Sequence, residues 1–388
     1  MDLGFIHCSV ILEQEILRDG AILVQNGVIS WVGPTSELPI QPKKTKDLGG
    51  FFISPGYIDL HVHGGGGVDS TIAEPEQIKV ICRTHESFGT TSLCLALVSS
   101  PVEVTTKALA AISHLATIGT GGARLIGAYL EGPFINPARC GAHSTKNILE
   151  PDLELMSRFT HAAGGWLRIV SLAPELPGSD NLIDWLVKSG FVVAIGHTSA
   201  TCEQTLGAIK RGCKLATHLF NGMKPFHHRD PNAAGAVLAS GEITAELILD
   251  ETHLHPIAAR LAFNALGNDR VVLVTDATSV VGSPDGRGSL GQKSIVFDKG
   301  AAYLENGVLA GSALTMADAV KNAIDLCKLD IPTAVRCASL NPASVLSLDD
   351  RLGSISAGKY ADLLVLDPSD LRVLESYVNG ERVFRSPY

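Results

Sequence analysis

Eight short apolar runs of strand length recur between positions 56 and 276, and most are followed by a helix-like segment. They fall near 56–63, 92–98, 124–131, 167–174, 191–197, 214–218, 245–250 and 270–276, with helical patterns such as 102–116, 202–211 and 256–266 between them. Runs that are apolar at nearly every position suit strands buried on both faces, the state of strands in a parallel sheet. Parallel neighbours need long crossovers, and helices supply them. Eight such units predict an α/β chain folded as a (β/α)8 TIM-like barrel. An open doubly wound sheet is the alternative. The glycine run at 64–67 follows the first strand but lacks the GxGxxG spacing of a dinucleotide fold.

The two ends of the chain read differently. The runs AILV at 21–24 and VISWV at 28–32, joined by Gln25, Asn26 and Gly27, form a hairpin pattern. Near the other end, ADLLVL at 361–366 is a strand, and YVNGERV at 377–383 is a second Asn-Gly hairpin. Neither piece is long enough to bury a core alone. We therefore expect residues 1–54 and 353–388 to join in one small β-sandwich domain, with residues 55–352 forming the barrel.

Composition excludes several partner classes. A formal net charge of -9 in 388 residues argues against nucleic acid or an anionic membrane held by the overall field. An anionic substrate would need a local cationic pocket. The 8 Cys are scattered and form no CxxC, so neither a disulfide framework nor a cysteine zinc site is expected. The first ten residues lack a basic segment leading into a long apolar run. No stretch reaches the roughly 18 apolar residues a membrane helix needs. These features predict a cytoplasmic protein.

In a barrel, functional groups gather where strands end and βα loops begin. Six of the eight runs end in a side chain able to bind metal or move a proton. The first ends in Asp59, His61 and His63, the third in Glu131, the fifth in His197 and the sixth in His218. The seventh ends in Asp250, with His253 close behind, and the eighth in Asp276. His61 and His63, two apart on a strand, point to one face and can share an ion. A carboxylate such as Glu131 on an apolar rim is costly unless paired or bound to a cation. Imidazoles with carboxylates suit a divalent ion such as zinc. Asp276 reads either as the cap of the next turn or as a base. Beside a metal that brings the pKa of its water to roughly 7, an Asp is strong enough to take the proton.

Further runs carry a resemblance. They are PGYIDLHVHG at 55–64, EGPF at 131–134, GAH at 141–143, GHT at 196–198 and THLFN at 217–221. RDP at 229–231, TDA at 275–277, LAGSALTM at 309–316 and GKYAD at 358–362 complete the set. Together they resemble the amidohydrolase superfamily and, within it, the N-acetylglucosamine-6-phosphate deacetylases. The resemblance implies hydrolysis of N-acetyl-D-glucosamine 6-phosphate to D-glucosamine 6-phosphate and acetate. It implies that Glu131, His197 and His218 hold a main divalent ion and that His61 and His63 hold a second. One or two ions per subunit are then expected, zinc first, with iron, manganese, cobalt or nickel as alternatives. Asp276 would be the general base and then the acid, and His143 would polarise the amide carbonyl and orient the sugar. Ala142, Asn221, Gly222, Asp250 and His253 would line the sugar site, and Leu309, Ala310 and Gly311 the acetyl group. Arg229 and His253 would meet the phosphate. In such proteins the Arg can come from the neighbouring subunit, which implies a homodimer in which Arg229 completes the neighbour's site.

Three positions depart from the usual pattern, and all border the sugar pocket. Gly222 stands where Ala is common after the Asn, Glu251 where Gly often follows the Asp, and Cys140 where a basic residue often precedes Gly-Ala-His. Three rivals remain open at this stage. One is a deacetylase of N-acetylgalactosamine 6-phosphate. The second is a cyclic amide hydrolase, which would call for a strand-end Lys that we do not find. The third is a barrel without catalysis.

Overall fold

A computed structural model describes residues 2–298 and 300–387. Eight parallel strands form one sheet in the order in which they occur along the chain. They are Tyr57–Val62, Thr90–Val98, Arg124–Glu131, Leu167–Leu172, Val192–Ile195, Leu215–Ala216, Thr244–Leu247 and Val271–Leu273. The sheet closes just beyond the eighth strand. Val62 bridges Ala277 in parallel, and the Asp276 amide donates to the His61 carbonyl at 3.0 Å. The chain is therefore a closed TIM-type barrel, and the open-sheet alternative falls. The second strand is buried at every position, which is why its sequence lacks alternation.

Each strand is followed by a helix. The reading at 202–211 coincides with Cys202–Arg211, whose limits are written locally. Thr201 and Gln204 form a reciprocal capping box at its start, and Gly212 takes a left-handed conformation at its end. The helix read at 256–266 is Pro256–Leu266, and the one read at 102–116 runs two residues further, to Ile118.

The chain ends meet in a separate eight-stranded sheet. Leu3–Ile11, Ile16–Gln25, Val28–Pro34, Thr45–Asp47 and Phe52–Pro55 pair there with Leu363–Leu366, Val373–Val378 and Glu381–Arg385. Phe5 and Tyr377 touch edge to face with ring centroids 5.1 Å apart, although their strands are three places apart in the sheet. Flat strands would lie roughly 14 Å apart at that spacing, so the sheet curls over its own core, as a sandwich does. Alternation assigns the two faces. Ile53, Leu363 and Val365 enter this small core, while Phe52, Leu364 and Leu366 pack into the barrel core.

One element has no counterpart in the sequence reading. Between the eighth barrel strand and the helix Met316–Cys327 the chain forms a four-stranded antiparallel sheet. Its strands are Arg287–Leu290, Lys293–Asp298, Ala301–Leu304 and Leu309–Ser312. It leans over the carboxyl end of the barrel and shares an apolar cluster with Val98 and Ala142.

Candidate active site

The carboxyl ends of the barrel strands bring seven titratable side chains onto one spot. Glu131, at the end of the third strand, lies at the centre and is buried. Its Oε1 is 2.9 Å from His197 Nε2, 2.9 Å from His218 Nε2 and 3.6 Å from His61 Nε2. Its Oε2 is 3.1 Å from His63 Nε2 and 3.2 Å from His143 Nε2. Asp276 Oδ1 lies 3.1 Å from His63 Nε2 and 3.6 Å from His61 Nε2. One carboxylate thus has five imidazoles around it and a second carboxylate alongside.

Backbone conformation aims these groups. His197, His218 and Asp276 have φ of +46°, +27° and +51°. Such values cost of order 1–3 kcal/mol each in a residue with a Cβ and persist only where the surroundings enforce them. Each turns the chain sharply just past a strand and lays the side chain across the barrel mouth. Gly222 supports this arrangement. Its φ is +63°, and a Cβ there would sit 2.9 Å from His197 Nδ1. In this chain the glycine leaves room for the His197 ring. Gly311, at φ +78°, approaches Asp276 in the same way, since a Cβ would fall 2.8 Å from the Asp276 carbonyl oxygen.

The outer ring nitrogens have partners that set the tautomers. His197 Nδ1 donates to the Arg139 carbonyl at 2.7 Å, and His218 Nδ1 donates to the Asn221 carbonyl at 3.1 Å. Both Nε2 lone pairs therefore face inward, as in ligands of an ion. His143 is the reverse case. The Ser99 amide donates to its Nδ1 at 3.1 Å, so the neutral ring carries its proton on Nε2. Burial drives the His143 pKa down to about 4 against the pull of Glu131, which favours that neutral ring. His143 is a hydrogen-bond donor aimed at the centre.

Electrostatics in the cluster follow from crowding. Burial alone would raise Glu131, but the imidazoles of His61 and His143 hold it well below the usual carboxylate range. Asp276 is likewise raised by burial and pulled down, to about 2, by His63 and His61. Burial lowers His63, and Asp276 and Glu131 overcome this and lift it to about 9. Nε2 of His61 and Nε2 of His63 are only 3.2 Å apart. Two imidazole lone pairs that close need a proton or a cation between them. His61, His63 and Asp276 form one group whose ligand atoms lie within 4.8 Å of one another, and Glu131, His143 and His197 form another. The donor set fits divalent ions.

A cavity of about 270 Å³ opens onto these groups. Ala142, Asn221, Gly222, His253, Leu309 and Gly311 line it, as read from the sequence. Three other residues of that reading lie elsewhere. Ala310 packs into the small apolar cluster under the inserted sheet. Asp250 stands behind His253, accepting from its Nδ1 at 2.6 Å and from its amide at 2.7 Å. Arg229 is exposed, with Nη1 2.8 Å from His228 Nε2. Among the described residues no Lys or Arg lines the cavity.

Sequence reasoning missed two supporting groups. Ser99 gave no signal beyond following the second strand. Glu246 gave one: a charged residue inside an apolar strand. It is fully buried, and its Oε2 lies 3.1 Å from His61 Nδ1. The seventh run was read as ending in Asp250, but the carboxylate that reaches the cluster is the one three positions into the strand Thr244–Leu247.

A closed parallel barrel with clustered imidazoles and carboxylates at its carboxyl mouth is the framework of a metal-dependent hydrolase. The sequence profile of the Amidohydrolase family matches residues 52–384. N-acetylglucosamine-6-phosphate deacetylase of Bacillus subtilis is 33% identical over 97% of this chain and 96% of its own length. N-acetylgalactosamine-6-phosphate deacetylase of Escherichia coli O157:H7 is 33% identical over 96% of this chain and 97% of its own. A mutant of the N-acetyl-D-glucosamine-6-phosphate deacetylase from Mycobacterium smegmatis was solved in complex with N-acetyl-D-glucosamine-6-phosphate. It superposes with a TM-score of 0.92 at 32% identity and covers 98% of this chain and 99% of its own. The chain belongs to the amidohydrolase family, whose members are metal-dependent hydrolases acting on carbon–nitrogen bonds.

Proposed function

We propose that this protein hydrolyses the acetamide of N-acetyl-D-glucosamine 6-phosphate, giving D-glucosamine 6-phosphate and acetate. The observation that carries the reading is the Glu131 carboxylate ringed by five imidazoles, with Asp276 beside it and a neutral His143 aimed at the same point. In this reading Glu131, His197 and His218 would hold one divalent ion, and His61 and His63 would hold a second. Zinc suits the donors best, and iron, manganese, cobalt or nickel are the alternatives. When bound, such an ion would supply an acidified water and polarise the carbonyl. Asp276, kept ionised by His63 and His61, would be the base that accepts the water proton and the acid that returns it to the departing nitrogen. His143 Nε2–H donates to the carbonyl oxygen as charge develops there, and the Ser99 amide holds the ring in that tautomer.

Asn221, Gly222 and Ala142 face the sugar, and Leu309 and Gly311 the acetyl group. His253, braced by Asp250, faces the phosphate. A phosphate calls for more than one imidazole, and no Lys or Arg of this chain lines the cavity among the described residues. That gap supports a homodimer in which Arg229 of one subunit completes the other's phosphate site. We further infer that 1–54 with 353–388 act as one module beside the barrel at 55–352. A cytoplasmic setting fits eight cysteines without a disulfide.

A second reading keeps the chemistry and changes the sugar to N-acetylgalactosamine 6-phosphate, and the relative of that name supports it. The test is acetate release from both sugar phosphates and their unphosphorylated forms, with metal analysis of the same sample. We expect turnover of the gluco phosphate, loss of at least about 100-fold without the phosphate, and loss of about 10²–10⁴-fold in Asp276→Asn with metal retained. Full activity of Asp276→Asn removes that residue from the mechanism. Preference for the galacto phosphate transfers the assignment to the second reading.

A further inference from the structure

We propose that Glu246 is a positioning residue that secures an ion at His61 and His63 and ties that half of the centre to the half holding His218. The proposal rests on the two-ion reading above, and it concerns a residue that touches neither substrate nor ion.

Glu246 lies on the seventh barrel strand with no exposed surface. Its Oε2 accepts at 3.1 Å from His61 Nδ1 and at 3.1 Å from the His218 amide. The first contact puts the His61 proton on Nδ1 and leaves the Nε2 lone pair facing His63 Nε2, Asp276 and Glu131. The second fixes the turn that delivers the His218 ring to Glu131. One oxygen thus braces a ring on the first strand and a backbone amide beyond the sixth. His63 has no equivalent brace, since its Nδ1 is buried without a partner. The pair is anchored through His61.

Charge points the same way. A buried carboxylate needs a cation, and the ionic contact recorded for Glu246 is His61. A neutral His61 with an ion on its Nε2 passes positive charge to Glu246 through the ring, as in the carboxylate–histidine–metal arrangement. The other carboxylate oxygen, Oε1, is buried and unpartnered. Glu246→Gln can therefore keep its amide oxygen where Oε2 sits and remove the charge, with its NH₂ taking the place of the equally unpartnered Oε1.

Ion binding tests this without any turnover. Wild type, Glu246→Gln and Glu246→Asp are equilibrated with zinc buffered by a graded chelator, and ions per chain are counted by elemental analysis. His63→Gln serves as the one-ion reference, and circular dichroism checks folding. We expect two ions in the wild type. In Glu246→Gln one of them should be released at free zinc about 10–100-fold higher than in the wild type, with the other unchanged. Glu246→Asp, which keeps the charge but withdraws the oxygen, should release the same ion. Unshifted binding in both folded variants overturns the proposal. So do simultaneous loss of both ions from folded Glu246→Gln, which keeps the oxygen that accepts from the His218 amide, a wild type that binds only one ion, and failure of both variants to fold. A protein that fails to release acetate yet shows the expected ion pattern would overturn the substrate assignment and leave this inference standing.

Discussion

At the residue scale, most of the chemistry comes from forcing like and unlike charges into a dry space. Glu131 stays ionised there only because His61 and His143 outweigh its burial. Away from the site, Glu86 lacks such help. It ends the helix Pro75–Glu86, is buried, and has an Oε2 without a partner. Burial pushes its pKa from 4.5 up to about 7, against the pull of the Ala123 amide and Arg83. Below about pH 4.5 the folded and unfolded chains both carry this proton, and between about 4.5 and 7 only the folded chain keeps it. The Glu86 contribution to stability is therefore present at low pH and is lost as pH rises through that window. Glu86→Gln should flatten the slope and gain on the order of 2 kcal/mol relative to wild type at pH 8 but little at pH 4. Urea midpoints at the two pH values measure it, and an equal change at both contradicts it.

At the element scale, the inserted sheet between the eighth strand and its helix gives the cavity a roof. Leu290, Val308, Leu309 and Gly311 bring it to the lining. Lys293 fastens it to the loop that carries His143, donating at 2.8 Å to the Ala142 carbonyl and at 3.0 Å to the His143 carbonyl. These bonds hold the backbone of the proposed carbonyl-polarising residue, and Ser99 holds its ring. Lys293→Met keeps the apolar stem and removes the donors. We expect kcat/KM on the acetylated sugar phosphate to fall about tenfold, the scale of a small misplacement of a catalytic group. The melting temperature should move by no more than a few degrees. Steady-state kinetics beside a thermal melt reads both, and unchanged kinetics would make the tie irrelevant to catalysis. A helix such as Cys202–Arg211, by contrast, was legible to the residue because its start and stop signals are contacts within the segment.

At the scale of the whole molecule, the proposed homodimer, in which Arg229 of one subunit completes the other's phosphate site, can be tested by subunit mixing. Arg229→Ala and Asp276→Asn should each be nearly inactive when pure. Mixed and allowed to exchange subunits, they should recover activity. In a mixed dimer the Arg229→Ala subunit keeps its own Asp276 and receives Arg229 from its partner, so one of the two sites is whole. Were Arg229 to serve its own chain, both sites would be broken and no activity would return. Acetate release from the mixture, set against the two pure variants, decides between the arrangements.

Local order and hydrophobic periodicity were open to reading along the chain. Uninterrupted apolar runs announced the eight barrel strands, Asn-Gly pairs announced the terminal hairpins, and polar residues at strand ends marked Glu131, His197, His218 and Asp276. Each depends on interactions within a few residues, or on burial that a run of side chains records directly. The rest depended on distance in the chain. The four-stranded insert is stabilised by packing against the barrel mouth, through residues such as Val98 and Ala142, and its half-exposed strands leave a weak pattern. Ser99 meets His143 across 44 positions, and Glu246 meets His61 across 185. No local rule records such a pairing, because a hydrogen bond between remote residues exists only once the barrel has closed and brought its strand ends together.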